Sequence, residues 1–260
     1  MNYTVCLNKD KNIGKVVYVV EGARRELTLL SYIFTKIFDY SVVVAPRKDV
    51  PYLKYESKTN KLSRVFLVCA YESNISFVEN PKGQDYLNEV YKVLFEKYNL
   101  KLSDAATYFI FDRDVQSNKC EEFRKLIPLL KNSRDNDTEI NGMLLESYPA
   151  IEAYAKSCID DTCDDWIKSA KELKLKISEA QYQQDKIMDA QIINACVNML
   201  TSIKSISGRD LEEKDLDNFA ELNKLIFDKE EDYLTQKELY RILSLLSISF
   251  MDLGLITIET

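Results

Sequence analysis

The chain has 260 residues, of which 46% are hydrophobic and 30% charged, so it can bury the core of one large domain or of a core domain with a smaller one. Its formal net charge of −7 excludes a polycation that coats nucleic acid with its whole surface. Because the sequence contains no histidine, Ser-His-Asp and Cys-His catalysis and histidine ligation of zinc or haem are also excluded. Any catalysis must rest on carboxylates or on Lys, Arg, Tyr, Ser or Cys side chains.

The spacing of the cysteines and glycines argues against further kinds of site and of protein. The six cysteines include no Cys-x-x-Cys pair, and their wide separation favours reduced thiols over the disulfides of a secreted protein. The six glycines provide no phosphate-binding loop of the Rossmann or P-loop type. The sequence has neither a signal-peptide core nor a membrane-length apolar run, so we expect a cytoplasmic location and no membrane partner.

Up to about residue 160, β-rich apolar runs alternate with amphipathic segments. The run VVYVV at 16–20 is apolar throughout, as is typical of a strand buried on both faces of a parallel sheet. Strands that alternate with helices imply crossover connections, and therefore an α/β fold with a mainly parallel sheet flanked by helices. In chain order the patterns predict strand 16–20, helix 24–38, strands 40–45 and 64–70, helix 84–98, strand 107–111, helix 119–131 and the short strand 142–145.

After residue 160 the apolar spacing becomes helical. We therefore predict an α/β domain over residues 1–160 and an all-helical C-terminal subdomain over 161–260. The helical part could pack on the sheet, restrict access to a site or form a homo-oligomer, and the sequence leaves these roles open. Its predicted helices cover 166–177, 182–200, 216–227 and 236–253, the last of them after the candidate N-cap Thr235.

Positive charge is concentrated near the start of the chain, where residues 1–68 hold 12 basic and 6 acidic side chains. Between 47 and 64 the basic residues interleave with Tyr52 and Tyr55. Such a loop could bind a phosphate backbone and stack a base, or it could be a solvated connector between two strands. The basic residues of this segment are Arg47, Lys48, Lys54, Lys58, Lys61 and Arg64.

Acidic residues follow three of the predicted strands, at the ends that face the ligand crevice of an open parallel sheet. Two of them, Asp112 and Asp114, are two apart in extended chain and are therefore predicted to share a target. Like charges at one edge raise one another's pKa unless a cation lies among them, so we expect Mg²⁺ or Mn²⁺ there. In chain order, the strand-end carboxylates are Glu21, Asp112, Asp114, Glu146 and Glu152.

Taken one at a time, these carboxylates have a structural interpretation. Glu21 before Gly22 can be explained by turn chemistry alone, and Asp112 with Asp114 by a solvated turn or a helix cap. Three such groups in order, each at a strand end, are much harder to explain by chance. The combination therefore favours a functional site.

The segment VVYVVEGARRE, followed later by FIFDRD, resembles the Toprim domain of topoisomerases, primases and several nucleases, in which one strand ends in Glu-Gly and a later strand in Asp-x-Asp. Over residues 15–160 the chain is most similar to the RloB-like branch, alongside the OLD-type and other defence-associated Toprim nucleases. Members of that branch have Thr-Glu two residues after Glu-Gly, and later Ser-Asn-Pro-x-x-Glu. Here Glu26, Ser147, Pro149 and Glu152 are kept, whereas Arg25 replaces the Thr, Tyr148 replaces the Asn, and the usual histidine after the last motif is missing.

This resemblance implies a Toprim-like catalytic domain that hydrolyses phosphodiester bonds with Mg²⁺ or Mn²⁺. Asp112 and Asp114 would hold the metal ion, and Glu26 and Glu152 would be further ligands or would support the ligands. Glu21 would be a ligand or the general acid/base. Water would be the nucleophile, because no tyrosine has a recognisable nucleophile context. Three basic residues beside these acids would contact phosphates or compensate the acidic charge: Arg24, Arg25 and Arg113.

The resemblance also implies a place in bacterial anti-phage defence, of the abortive-infection kind. The substrate would be DNA or RNA, and a toxic nuclease would need a switch, such as an activating or inhibiting partner protein. The departures at Arg25 and Tyr148 keep a second hypothesis open, in which the chain is a non-catalytic module that binds a metal ion or a partner.

Overall fold

The strands of the structure follow the apolar runs of the sequence. The structure, a computed structural model, describes residues 3–22, 24–44, 52–70, 83–100, 104–115, 118–134, 142–179 and 187–259. In chain order the strands are β1 Thr4–Leu7, β2 Lys15–Val20, β3 Tyr40–Val44, β4 Tyr52–Ser57, β5 Arg64–Cys69, β6 Ala105–Asp112, β7 Lys131–Asn132, β8 Gly142–Tyr148, β9 Trp166–Ile167, β10 Tyr240–Arg241, β11 Leu243–Ser244 and β12 Ile256–Glu259.

The helices alternate with the strands up to β8 and dominate the chain after it. Two helices continue into π-helical turns, at Ile33–Ile37 and Val93–Lys97, and a third continues into a 3-10 turn at Ile127–Leu129. In the described residues no helix is long and apolar enough to span a membrane. The helices are α1 Arg25–Tyr32, α2 Gln84–Lys92, α3 Cys120–Leu126, α4 Glu152–Ile159, α5 Ala170–Glu179, α6 Asp189–Ser207, α7 Glu213–Asp217, α8 Phe219–Lys237 and α9 Leu246–Asp252.

One large sheet organises the molecule, with the strand order β11-β8-β6-β2-β5-β4-β3, and β7 pairs with the start of β8. The four central strands β8, β6, β2 and β5 are parallel, whereas the remaining pairs are antiparallel. A mixed α/β fold with a mostly parallel central sheet and a helical C-terminal region is therefore confirmed. Parallel pairing follows from the helical crossovers that join these strands.

Helices cover both faces of this sheet, because the side chains of each central strand alternate between the faces. On one face Tyr18 of β2 stacks on Tyr108 of β6, with ring centroids 5.1 Å apart, and donates a hydrogen bond to Ser249 of α9 over 3.0 Å. On the other face Phe111 of β6 packs against Tyr86 of α2, with centroids 6.4 Å apart. The central strands are thus buried on both sides, as their continuous apolar sequences predict.

The prediction of an all-helical C-terminal part is wrong where the strands β9, β10, β11 and β12 lie. The predicted helix 166–177 begins only at Ala170, because β9 precedes it. The predicted helix 236–253 is replaced by the end of α8, then β10, β11 and α9, so Thr235 lies inside α8 and caps nothing. Glu238 ends α8 in the left-handed region, with φ 55°. Short apolar runs such as LSLLS fit a helix and a strand equally well, which explains the error.

The two halves of the chain are joined through their strands. β11 lies antiparallel to β8 in the large sheet, and β12 pairs with β1. One hydrophobic core also includes residues from both halves. The predicted boundary between 160 and 161 stays a prediction, but the parts on its two sides share a sheet and a core.

Candidate functional site

The carboxyl ends of neighbouring strands bring the predicted acidic residues to one edge of the sheet. β2 and β6 are parallel and in register up to Val20 and Ile110, so Glu21 follows β2 one residue short of the level of Asp112 on β6. β8 is the next strand, and its Ser147 is in register with Asp112. The chain then turns into α4, whose first residue is Glu152. The register alone therefore places these acids in one neighbourhood.

Glu21 and Asp112 are held by a small hydrogen-bond network. The Asp112 amide donates to Oε2 of Glu21 over 3.2 Å. The buried Asn118 donates through Nδ2 to both carboxylate oxygens of Glu21, over 3.2 and 3.0 Å, and to the Asp112 carbonyl oxygen over 2.7 Å. The Ile151 amide donates to Oδ1 of Asp112 over 2.7 Å. Sequence reasoning missed Asn118, because a loop asparagine six residues after Asp112 has no motif of its own.

Burial and mutual repulsion raise the pKa of both carboxyl groups. For Glu21 burial is the main cause, the hydrogen bonds from Asn118 and Asp112 oppose it, and the charges of Glu26 and Asp114 add to it. The pKa of Asp112 is raised well above its usual value, mainly by burial and then by Glu26 and Glu21, while the Ile151 amide lowers it. Burial and the neighbouring carboxylates therefore disfavour the charged form of both groups, and a bound cation would offset this penalty.

Asp114 lies beyond the extended strand on which its predicted pairing with Asp112 depends. β6 ends at Asp112, and the Asp114 carbonyl oxygen accepts a hydrogen bond from the Asn118 amide over 2.8 Å in the following turn. The charge of Asp114 raises the pKa of Glu21. Glu21 therefore interacts electrostatically with Asp112, Asp114 and Glu26, and it is the common member of the cluster.

Glu26 approaches the turn after β2 because Gly22 leaves room for it. Glu26 is buried in the first turn of α1. A Cβ atom on Gly22 would lie 2.8 Å from Oε2 and 3.0 Å from Oε1 of Glu26. Gly22 thus leaves space for the Glu26 carboxylate beside the backbone, and the Cβ atom of any other residue would take that space.

Two cations border the acidic cluster on its α4 side. Glu152 is buried and forms an ion pair with Arg25, and Lys174 of α5 lies 3.9 Å from the same carboxylate oxygen. The Lys174 charge also lowers the pKa of Asp112. About half of the Arg25 side chain and 39% of the Lys174 side chain remain exposed, so both can meet a ligand. Sequence reasoning missed Lys174, which is one of several lysines on its helix.

Arg24 is exposed at the start of α1, whereas Arg113 faces the protein interior. The Arg113 guanidinium donates to Glu231 of α8 through two hydrogen bonds, over 2.7 and 2.8 Å, and is only 2% exposed. It also packs against the rings of Phe123 and Phe227, 5.7 and 5.8 Å from their centroids. Arg113 compensates an internal carboxylate, so the prediction that it contacts nucleic acid is corrected.

Glu146 is not a strand-end residue, because β8 extends to Tyr148. Its side chain is fully buried, and it lies in register with Phe111 on the face of the sheet that α2 covers. Burial raises its pKa to about 8, although Asn223 and Arg113 act in the opposite direction. Glu146 is therefore an acid of the protein interior rather than part of the strand-end cluster.

The predicted basic loop is partly a strand. Arg47 and Lys48 lie outside the described residues. Lys54 lies in β4, between β3 and β5, and forms an ion pair with Glu56 at 2.8 Å. Lys58 pairs with Asp39, and Lys61 is exposed in the turn before β5. The connector interpretation is wrong for 52–57, and nucleic-acid binding by these lysines stays a prediction.

The donor atoms of the acidic cluster suit a hard divalent cation, since all of them are carboxylate oxygens. In the ranges that the structure describes, no three acidic or cysteine side chains are grouped closely enough to form a ready metal site. Metal binding would therefore require side-chain movement around Glu21 and Asp112, the two acids whose pKa is raised by burial and by neighbouring carboxylates.

Comparisons of this chain with models of protein families, with curated proteins and with solved structures found no match. Its function must therefore be argued from the residues at the sheet edge and from the chemistry that they can support.

Proposed function

We propose that this chain is a Toprim-type nuclease that hydrolyses the phosphodiester bonds of nucleic acid with the help of Mg²⁺ or Mn²⁺. The observation that carries the proposal is the pairing of Glu21 with Asp112 at the carboxyl ends of two adjacent parallel strands. Both carboxyl groups have a raised pKa, because both are buried and both are repelled by Glu26, with Asp114 adding to the effect on Glu21 and Glu21 to that on Asp112. A divalent cation would relieve this repulsion.

Each residue has a chemical role in this proposal. Asp112, Asp114 and Glu26 supply oxygen donors for the metal ion, which would lower the pKa of the attacking water and offset charge on the phosphorane. Glu21 accepts or returns a proton, and its raised pKa suits a general acid/base. Arg25 presents a guanidinium to phosphate oxygens, and Lys174 adds a second positive charge from α5. Glu152 holds Arg25 and supports the ligands.

The biological part of the proposal rests on the resemblance to RloB-like proteins. We place the nuclease in bacterial anti-phage defence, in the cytoplasm, with DNA or RNA as substrate. The half-exposed cations beside the cluster leave the reaction site accessible, so a toxic activity would have to be restrained by a separate partner protein or by oligomerisation.

The test is cleavage of plasmid DNA, single-stranded DNA and total RNA in the presence of Mg²⁺ or Mn²⁺. We expect activity that EDTA abolishes and that Asp112→Asn and Glu21→Gln reduce by at least about 100-fold. Asp104→Asn is the matched control, because Asp104 precedes β6 at the opposite end of the same strand and is 75% exposed. A folded wild-type chain that neither cleaves these substrates nor binds Mn²⁺ would overturn the proposal.

One contact favours a second function, a non-catalytic module that binds a metal ion or a partner. Arg25 stands where the related proteins have Thr, and its ion pair with Glu152 occupies a carboxylate that the resemblance also gives as a further metal ligand. Mn²⁺ binding that Asp112→Asn abolishes, without cleavage even in the Arg25→Thr variant, would favour the module over the nuclease.

A further inference from the structure

Glu152, the first residue of α4, is a buried carboxylate that the chain compensates with positive charge. It is 5% exposed, it forms an ion pair with Arg25, and Lys174 lies 3.9 Å from the same carboxylate oxygen. Neither of its oxygens accepts a hydrogen bond of ordinary geometry from the residues that the structure describes. A metal ion that coordinates Glu152 must therefore compete with a positive charge that the chain itself supplies.

The turn before α4 brings Glu152 to the neighbourhood of Asp112. The amide of Ile151, the residue before Glu152, donates a hydrogen bond to Oδ1 of Asp112 over 2.7 Å. Lys174, which lies 3.9 Å from Glu152, also lowers the pKa of Asp112. Glu152 is thus the acid of α4 that a divalent cation held at Asp112 can recruit as a further oxygen donor.

Arg25 covers Glu152 from the solvent side. About half of the Arg25 side chain is exposed, whereas the Glu152 side chain is 6% exposed. A guanidinium binds phosphate oxygens as well as it binds carboxylate oxygens, so a phosphate that arrives from solvent can take Arg25 as its partner. A metal ion at Glu152 would also be repelled by a guanidinium in contact with the same carboxylate. Arg25 and the metal ion therefore compete for Glu152.

We propose that Arg25 is a gate on the metal ligands. Without substrate its guanidinium holds Glu152, and a phosphate group of the bound nucleic acid draws the guanidinium away, so that Glu152 becomes available to Mg²⁺ or Mn²⁺. The metal ion and the nucleic-acid strand then bind cooperatively, because both favour the same displaced position of Arg25. The inference rests on the proposed function, because its ligands are a divalent cation and a phosphodiester. It adds a regulation: the full set of metal ligands assembles only in the substrate complex.

Mn²⁺ binding without nucleic acid, measured by calorimetry, tests the gate directly. Arg25→Thr should bind Mn²⁺ about 5- to 150-fold more tightly than the wild type, because Glu152 is then available to coordinate it. Arg24→Thr is the matched control, since it removes the same charge from the exposed neighbouring residue and should change the affinity by less than about 2-fold at physiological salt. In a Glu152→Gln background, Arg25→Thr should likewise change the Mn²⁺ affinity by less than about 2-fold.

Strand binding provides the reciprocal measurement. A fluorescently labelled phosphorothioate strand of about 12 nucleotides, which resists hydrolysis, is titrated as DNA and as RNA, in EDTA and in saturating Mn²⁺. We expect Mn²⁺ to strengthen binding by the wild type at least about 10-fold, and this ratio to be at least about 5-fold smaller in Arg25→Thr. Glu152→Gln should strengthen binding in EDTA at least about 3-fold, because it releases Arg25. This last measurement tests the gate even if Arg25→Thr fails to fold, which circular dichroism would reveal.

Other outcomes overturn the inference. These are a Mn²⁺ affinity that Arg25→Thr leaves unchanged or lowers, an equal gain in Arg24→Thr, or a gain that persists in the Glu152→Gln background. Failure of the proposed function is separately visible. A wild-type chain that binds Mn²⁺ and the strand cooperatively without cleaving any substrate keeps the gate and loses the nuclease. Cleavage by the wild type, with the same Mn²⁺ affinity in Arg25→Thr, keeps the nuclease and loses the gate.

Discussion

The side-chain amide of Asn118 donates hydrogen bonds to both carboxylate oxygens of Glu21, over 3.2 and 3.0 Å. The same nitrogen reaches the carbonyl oxygen of Asp112. The buried Asn118 side chain thus connects the ends of β2 and β6 and fixes the orientation of the Glu21 carboxylate. Asn118 is a positioning residue for Glu21, and its removal should affect the site more than the fold.

We expect Asn118→Ala to reduce the metal-dependent cleavage rate by about 10- to 100-fold, because groups that orient metal ligands have effects of this size. Mn²⁺ affinity, measured by calorimetry, should fall in parallel. Asn88→Ala is the control, since Asn88 is exposed on α2 and contacts only Gln84 among the described hydrogen bonds. Equal loss of activity in both variants would contradict the positioning role.

Gly22→Ala should disturb the site through Glu26. The new Cβ would lie 2.8 Å from the Glu26 carboxylate, so that side chain must move away from the turn after β2. We expect a loss of cleavage of at least about 10-fold but a destabilisation of only up to about 1 kcal/mol, because the atoms that must shift are the tip of the Glu26 side chain, and urea unfolding measures this cost. In a Glu26→Ala background the same substitution should cost little stability. A similar cost in both backgrounds would exclude this contact as the cause.

The ion pair between Arg113 and Glu231 should contribute to stability rather than to substrate binding. Arg113→Met leaves the Glu231 carboxylate without its partner, and we expect a loss of about 3–5 kcal/mol in the free energy of unfolding. The double variant Arg113→Met with Glu231→Leu should recover most of that loss, because no charge is then left unpaired. Urea unfolding of the two single variants and the double variant provides the measurement. A double variant as unstable as Arg113→Met would contradict the assignment.

Glu146 should make the protein less stable as the pH rises. Its pKa is about 8 in the folded chain and 4.5 without burial, so between these values the folded state keeps a proton that the unfolded state has lost. The free energy of unfolding should therefore fall between about pH 5 and pH 8, by up to about 3–5 kcal/mol. Glu146→Gln removes this contribution, so the variant should show a flatter slope.

Urea unfolding at several pH values checks this expectation. Glu221→Gln on α8 is a suitable control, because Glu221 is exposed and its replacement should leave the slope as in the wild type. If Glu146→Gln kept the full wild-type slope, another group would be responsible.

The central sheet could be predicted because its strands are continuous apolar runs. VVYVV at 16–20 and TYFIF at 107–111 are short and rich in β-branched and aromatic residues, which favours buried strands over helices, and the acids after them mark the edge where they end. The order of those acids along the chain also gave their neighbourhood in space, since adjacent parallel strands end together.

Other parts of the site could not be predicted, since their positions depend on tertiary packing. Asn118 and Lys174 reach the cluster from a loop and from the C-terminal half, and their sequence surroundings resemble ordinary solvated segments. β10 and β11 have two residues each, too few for a periodic pattern. The helix before them ends at Glu238 without a glycine, so no stop signal was visible.

The pairing of β1 with β12 and of β8 with β11 has a consequence for synthesis on the ribosome. β1 has no partner until β12 at Ile256–Glu259 has been made, and the carboxyl-end edge of β8 stays open until Leu243 and Ser244 have been made. A chain interrupted before that point has two unpaired strand edges, which are sites of aggregation and of chaperone binding. The strand pairing of the folded protein is therefore complete only after almost every described residue has been translated.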